Sequence, residues 1–172
     1  MGWRSALVWL VIGVAACAPA LDWREMRLSD LHLAMSMPCR PTSHVRRFPL
    51  AGRAVEMTLH VCVVAGTSYS LGTLDCGDPT QVGPMLEALS EAARANLQGR
   101  VEVDEPAHLP GMTPHAAARR MVILGRRPDG VAVRSDMLVF SYGARVFQAI
   151  ALGAPPSIDG ARRFLGSLAV VP

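Results

Sequence analysis

Lysine is absent from this chain of 172 residues, and all 17 of its basic residues other than histidine are arginine. The physical consequence is small, and genome composition accounts for it. Acidic residues number 14, so the net charge is only +3. That is too weak to argue for nucleic acid, and neither a basic helix nor an aromatic-basic stripe is present. Aromatics make up 5% of the residues, and two of the three tryptophans, Trp3 and Trp9, lie at the N-terminus. Long hydrophobic runs are missing too. The longest N-terminal run, Ala6 to Ala16, is far short of the ~20 residues that a membrane-spanning helix needs. What remains fits one domain with its own core, without repeats.

The N-terminus, "MGWRSALVWLVIGVAACAPA", carries one positive charge at Arg4 before its apolar run. That is the pattern of a secretory signal. The residues before Cys17, "VAA", resemble the lipobox of bacterial lipoproteins: an aliphatic residue, two small ones, then the cysteine. Val14 stands where leucine is usual. The resemblance implies a signal peptide over residues 1–16, with Cys17 receiving diacylglycerol and then an acyl chain such as palmitate. It also implies transfer to the outer membrane, because Ala18 and not aspartate follows the cysteine. Such an anchor supplies more than the two hydrophobic signals that stable attachment requires. The alternative is ordinary cleavage after Ala20 at "APA", which would give a soluble periplasmic protein.

Residues 17–27 read as the lipidated end and a tether of about ten residues, reaching about 35 Å. The folded domain is expected over 28–172. From Leu28 the hydrophobic period is two, with Leu31, Leu33, Met35 and Met37 on one side. A hairpin turning at Ala51-Gly52 follows, its return strand pointing Val55, Met57, Leu59, Val61 and Val63 inward. A third strand, "SYSLGTLDC", comes after a turn at Gly66-Thr67. "DPTQVGPMLEALSEAARANLQG" predicts a helix that starts near Gly83, buries Val82, Met85, Leu86, Leu89, Ala93 and Leu97, and ends at Gly99. The strand "RVEVDE", a proline-rich loop, a hairpin around "RRPDG" and the strand "VFQAIALG" complete the sheet. The last strand is apolar on both faces, so the sheet should be covered on both sides. A second helix, "IDGARRFLGSL", is capped by Ser157 and presents Ala161, Phe164, Leu165 and Leu168 on one face.

This order, through "MPC", the first helix, "GARVFQAIALG" and "ARRFLGSLAV", resembles the bacterial PsbP-like proteins, relatives of an extrinsic photosystem subunit. The resemblance spans about Met26 to Val171. It implies an α+β fold, an antiparallel sheet of about six or seven strands sandwiched by helices. It brings no catalytic residues and no cofactor, and it implies action by binding other macromolecules.

"LHLAMSMPC" sets Met35, Met37 and Cys39 two residues apart, which suits either a copper(I) site or one strand face. Outside the cytoplasm, cysteines close in space form disulfides. A turn at 51–52 makes paired residue numbers sum to about 103, so Cys62 faces about residue 41, next to Cys39. The second hairpin places Cys76 opposite about residue 57, roughly 17 Å from Cys62 along the strand. A disulfide needs Cα atoms within about 7 Å. Cys39–Cys62 is therefore the expected bridge, with Cys76 a free thiol and the methionines in the core. A copper- or redox-handling protein using Met35, Met37, Cys39 and Cys76 is the competing reading.

Other chemistry is sparse. His32, His44, His60, His108 and His115 form no HxH or HExxH spacing, although His32 and His60 could share a sheet face. No GxSxG elbow or glycine-rich phosphate loop occurs, which leaves only a hydrolase whose site has no motif. Cys76 precedes a helix start, where a dipole could lower its pKa. The hairpin "ARRMVILGRRPDGVAVRSD" gathers Arg119, Arg120, Arg126, Arg127 and Arg134. Exposed arginines on a strand edge deter edge-to-edge pairing. As a basic surface they would meet anionic lipid or an acidic envelope protein within the tether's reach. The sequence thus points to a membrane-anchored, periplasm-facing lipoprotein that binds and does not catalyse, with no cofactor, no metal and no nucleic-acid partner.

Overall fold

The structure, a computed structural model, describes residues 21–154 and 158–171, apart from the side chains of Ile158 and Asp159. Cys17 and the whole signal segment, and the expected helix cap Ser157, lie outside the described residues. The fold is α+β and its sheets are antiparallel. Among the described residues ten strands are seen: β1 (Arg24–Leu28), β2 (Leu33–Met37), β3 (Thr42–Leu50), β4 (Arg53–Val64), β5 (Thr67–Asp75), β6 (Arg100–Pro106), β7 (Arg119–Arg126), β8 (Ala132–Tyr142), β9 (Arg145–Gly153) and β10 (Ala169–Val170). The helices are α1 (Val82–Leu97) and α2 (Ile158–Gly166). A seven-stranded sheet runs in the order β3-β4-β5-β9-β8-β7-β6, and a three-stranded sheet in the order β1-β2-β10.

The large sheet has a core on each face. One core packs α1, through Val82, Met85, Leu86 and Leu89, against Met57, Met121, Ile123 and Val146. The other packs α2 and the small sheet, through Phe164, Leu165, Leu33, Met35 and Met37, against Cys62, Leu71, Phe140 and Phe147. Phe140 and Phe147 pair across β8 and β9 and stack at 5.0 Å between ring centroids. A central strand with both faces covered has no polar side to show, which is why β9 reads as continuous apolar sequence.

Both N-terminal hairpins turn on Ala-Gly with positive φ at both residues, Ala51-Gly52 and Ala65-Gly66. That is the type I′ geometry favoured by the right-handed twist of paired strands. The first hairpin keeps the sum of 103, with Thr42 opposite Val61. The second differs from expectation: Val64 faces Thr67, so the turn is Ala65-Gly66 and the sum is 131. Along β4 the buried face also changes. Val55 and Met57 are buried under α1, whereas farther along Cys62 is buried under the small sheet and Val63 is 67% exposed. Each end of the strand is covered on a different side.

Three further expectations are corrected. Residues 24–27, read as tether, join Leu28 in β1 and pair with β2 from Arg24 opposite Met37 to Leu28 opposite Leu33. Trp23 already belongs to the folded unit, with the Arg163 guanidinium 4.5 Å over its ring and Tyr69 edge-on to it. Leu31 ends a 3-10 turn and does not continue the strand of Leu33, Met35 and Met37. Finally, Gln98 and not Gly99 takes the left-handed position that ends α1. Gly99 is required for a different reason: a Cβ there would lie 2.3 Å from the Leu124 carbonyl oxygen, and one on Gly125 equally close to that of Leu97.

Candidate functional site

The arginines of the β7–β8 hairpin are not at a free edge, because β6 pairs outside β7. The acids of β6 meet them. Asp104 pairs with Arg119 at 2.7 Å and also binds Arg94 of α1. Glu105 pairs with Arg120 at 2.7 Å, and Arg134 lies 3.7 Å from Glu102. Arg126 donates to the Gly130 carbonyl in the turn, and Arg127 stands 4.0 Å from Asp129. The expected basic surface of Arg119, Arg120, Arg126, Arg127 and Arg134 is therefore largely neutralised by its own sheet. Period-two reading marks the arginines but cannot say which strand lies beside them.

One group of these charges lines a concavity. On the face that carries α2, the open strip between that helix and β6 forms a groove of about 530 Å3. Its walls include Arg120, Arg134, Asp136, Arg162 and His108, with Leu138 and Leu165 as apolar lining. Arg134 donates from Nε and Nη2 to the two carboxylate oxygens of Asp136, two residues along the same strand, at 2.7 and 3.0 Å. Asp136 is 8% exposed. The hydrogen bonds to Asp136, outweighing the cost of burial, raise the Arg134 pKa above its ordinary value. This pair lies at the floor, and beside it stand Arg162 and Arg120, the latter bonded to Glu105, which also lines the groove. With Asp136 in the Arg134 fork and Glu105 on Arg120, an incoming carboxylate or phosphate group would be met chiefly by Arg162. The groove offers no nucleophile next to a base.

An apolar depression adjoins the groove and shares Pro106 and His108 with it. It measures about 710 Å3 and is lined by Ala107, Leu109, Pro110 and Met112 of the loop after β6. That loop is held in place by hydrogen bonds from Val170 N–H to the Pro110 carbonyl and from Thr113 N–H to the Ser141 carbonyl. Arg162 and His108 had no motif to mark them. Only the fold brings them to the same groove.

The sulfur residues are distributed differently from a metal site. Cys39 and Cys62 form a disulfide with Cα atoms 5.8 Å apart, tying the segment after β2 to β4. Met35 and Met37 are 2% and 0% exposed in the core beside Cys62. Cys76 is a free thiol in the core on the opposite face of the sheet, under α1. Met35, Met37, Cys39 and Cys76 are thus not brought together. Burial, and next the carboxylate of Asp75, push the Cys76 thiol up, reversing the expectation of a lowered pKa. Its N–H donates to the Ala144 carbonyl, and it faces a cleft of about 340 Å3 lined also by Arg53, Asp75 and Arg145.

The histidines do not converge. His32 takes a left-handed conformation between the 3-10 turn and β2, its ring against Tyr142. His60 lies on β4 of the other sheet, 3.3 Å from the Ser43 hydroxyl, and burial lowers its pKa. The two do not share a sheet face. His44 bonds Thr42, and His115 Nδ1 accepts the Ala117 N–H. Among the described residues, no three His, Cys, Asp or Glu side chains are grouped so as to hold a metal ion.

No protein-family model matches the chain, and no curated protein matches it. Among solved structures, it is similar to the crystal structure of protein PA94 from Pseudomonas aeruginosa, a proposed regulator of unknown function. The two are 14% identical with a TM-score of 0.41, over 77% of this chain and 83% of that one.

Proposed function

We propose that the protein is a lipid-anchored accessory protein of the outer membrane, facing the periplasm, which works by binding. The groove between α2 and β6–β8 is its recognition site. The observation that carries this reading is the half-buried Arg134–Asp136 pair at the groove floor, flanked by Arg120 and Arg162 and continued by the apolar depression under the proline-rich loop. Guanidinium groups beside an apolar hollow suit a ligand with an anionic group and an apolar body, such as an anionic lipid or an acidic segment of an envelope protein. The Cys39–Cys62 disulfide supports an oxidising compartment. The lipobox-like "VAAC" supports the anchor at Cys17. A sheet with α1 on one face and α2 on the other supports the PsbP-like sandwich, whose relatives act by binding.

A photo-crosslinking residue in place of His108, in cells, tests the site against the same residue in place of the exposed Val131. An adduct specific to position 108 that weakens in the Arg120→Ala, Arg162→Ala background is expected, and its mass separates lipid from protein. No adduct at 108, or the same adduct at 131, would sink the assignment.

A further inference from the structure

The seven-stranded sheet ends on β6 at one side and β3 at the other. β6 is ill suited to a further strand. A register break lies between Val101 and Val103, and the carboxylates of Glu102, Asp104 and Glu105 are engaged by arginines. β3 runs nine residues in unbroken register with β4 and is exposed over Thr42–Arg47.

Hairpin geometry says which backbone groups of β3 point away from β4. In a two-residue type I′ hairpin the pair flanking the turn, here Leu50 and Arg53, exchanges both backbone hydrogen bonds. Bonded pairs then recur at Phe48–Val55, Arg46–Met57, His44–Leu59 and Thr42–Val61. Ser43, Val45, Arg47 and Pro49 therefore turn their backbone groups outward. Pro49 has no N–H, so it closes one end of this edge. Ser43, Val45 and Arg47 keep donors as well as carbonyls, and Val45 is 57% exposed.

Charge narrows the occupant. Between residues 40 and 60 stand Arg40, Arg46, Arg47 and Arg53, with Glu56 the one acid. A second copy pairing β3 against β3 would bring these arginines together and is disfavoured. An anionic bilayer would need the charges on one side. However, Arg46 shares the α1 face with Met57, while Arg47 lies on the opposite face, paired with Glu56. A strand lying along the edge reaches both faces at once, because its own side chains alternate.

We propose that the outer edge of β3 accepts an extended acidic segment of a partner protein as an eighth strand. Backbone bonds to Ser43, Val45 and Arg47 supply the affinity, and the arginines select acidic side chains. This surface is separate from the groove beside α2.

The probe is a short capped peptide of alternating glutamate and valine, added to the full chain purified from cells, with amide exchange followed by NMR. Exchange at Ser43, Val45 and Arg47 should slow about tenfold or more, while His44, Arg46 and Phe48, already bonded to β4, should not change. Val45→Pro removes the central outward donor and leaves the ladder to β4 intact, as Pro49 already does. It should weaken binding by about tenfold. Arg46→Glu with Arg47→Glu should turn the preference toward a lysine–valine peptide. If Val45→Pro fails to fold, the alternating exchange pattern and the charge reversal decide. Three results would each overturn the proposal: no protection at the three outward amides, equal binding of the lysine–valine peptide by the unmodified chain, or phosphatidylglycerol vesicles protecting the same residues where the peptide does not.

Discussion

Two single side chains carry proton chemistry that is not written in their sequence neighbours. "LDCGDP" sets Cys76 before a helix, but the residue is 6% exposed and the thiol pKa is pushed up by burial and Asp75. Only a thiolate alkylates readily. Native Cys76 should therefore react with iodoacetamide at pH 8 about tenfold or more slowly than in the urea-unfolded chain. Mass spectrometry of the alkylated peptide reads this, and equal rates would contradict the burial. His60 is shifted the other way, its pKa lowered by desolvation. An unfolded imidazole takes up its proton near pH 6.5, whereas the folded one does so only at lower pH. The unfolded chain then binds more protons across that interval, so this contribution is intact above about pH 6.5 and is lost as pH falls through it toward the folded pKa. His60→Gln should flatten the fall in stability between pH 7 and pH 5, as seen in urea midpoints. An unchanged slope would assign the pH response elsewhere. Asp78, whose lowered pKa comes from its hydrogen bonds to Thr80, acts in the separate carboxylate range at lower pH.

At the scale of elements, the strands that alternate and the helices with one apolar stripe were legible, because their periods are local. The 103 register was legible too, since a two-residue turn fixes it. β1 and β10 were not. "REMRL" has no clean alternation, and a two-residue strand such as Ala169–Val170 has no period at all. Nor could period two report that β4 changes its covered face between Met57 and Cys62, because the change is made by α1 and the small sheet, distant in sequence. The disulfide joins these two regimes. Cys39 follows the small sheet, Cys62 lies in the large one, and 23 residues separate them. Closing that loop is worth roughly 3 kcal/mol in the chain-entropy picture, out of the ~5–15 kcal/mol typical of a whole domain. Cys39→Ala and Cys62→Ala should each lose about that much in urea denaturation. The double variant should lose little more than either, because all three lack the same bond. Full additivity would mean that the two sulfurs act separately.

Across the whole molecule, charge and anchoring are matters of placement. The sequence marked Arg119, Arg120, Arg126, Arg127 and Arg134 as a basic cluster. The sheet order instead sets the carboxylates of β6 beside three of them and leaves excess positive charge at the other end, on β3 and β4. Sheet order is a long-range property, so neither the pairing of the β7 and β8 arginines with β6 nor the basic edge could be read from local pattern. Anchoring changes in the same way. With Trp23 fixed beneath Arg163, the chain from a lipidated Cys17 to the folded unit is at most six steps, about 20 Å, and not the ~35 Å inferred from the sequence. A lipid at Cys17 would then hold β1 and α2 close to the bilayer surface. Cys17→Ser should abolish uptake of labelled palmitate and shift the protein from the membrane pellet to either uncut precursor or a soluble form cleaved near Ala20. The Cys39–Cys62 bridge should still form in the soluble form, because it depends on export and not on the lipid. A wild-type protein that takes up no palmitate, or a Cys17→Ser variant that remains in the membrane fully processed, would remove the lipid anchor from this account.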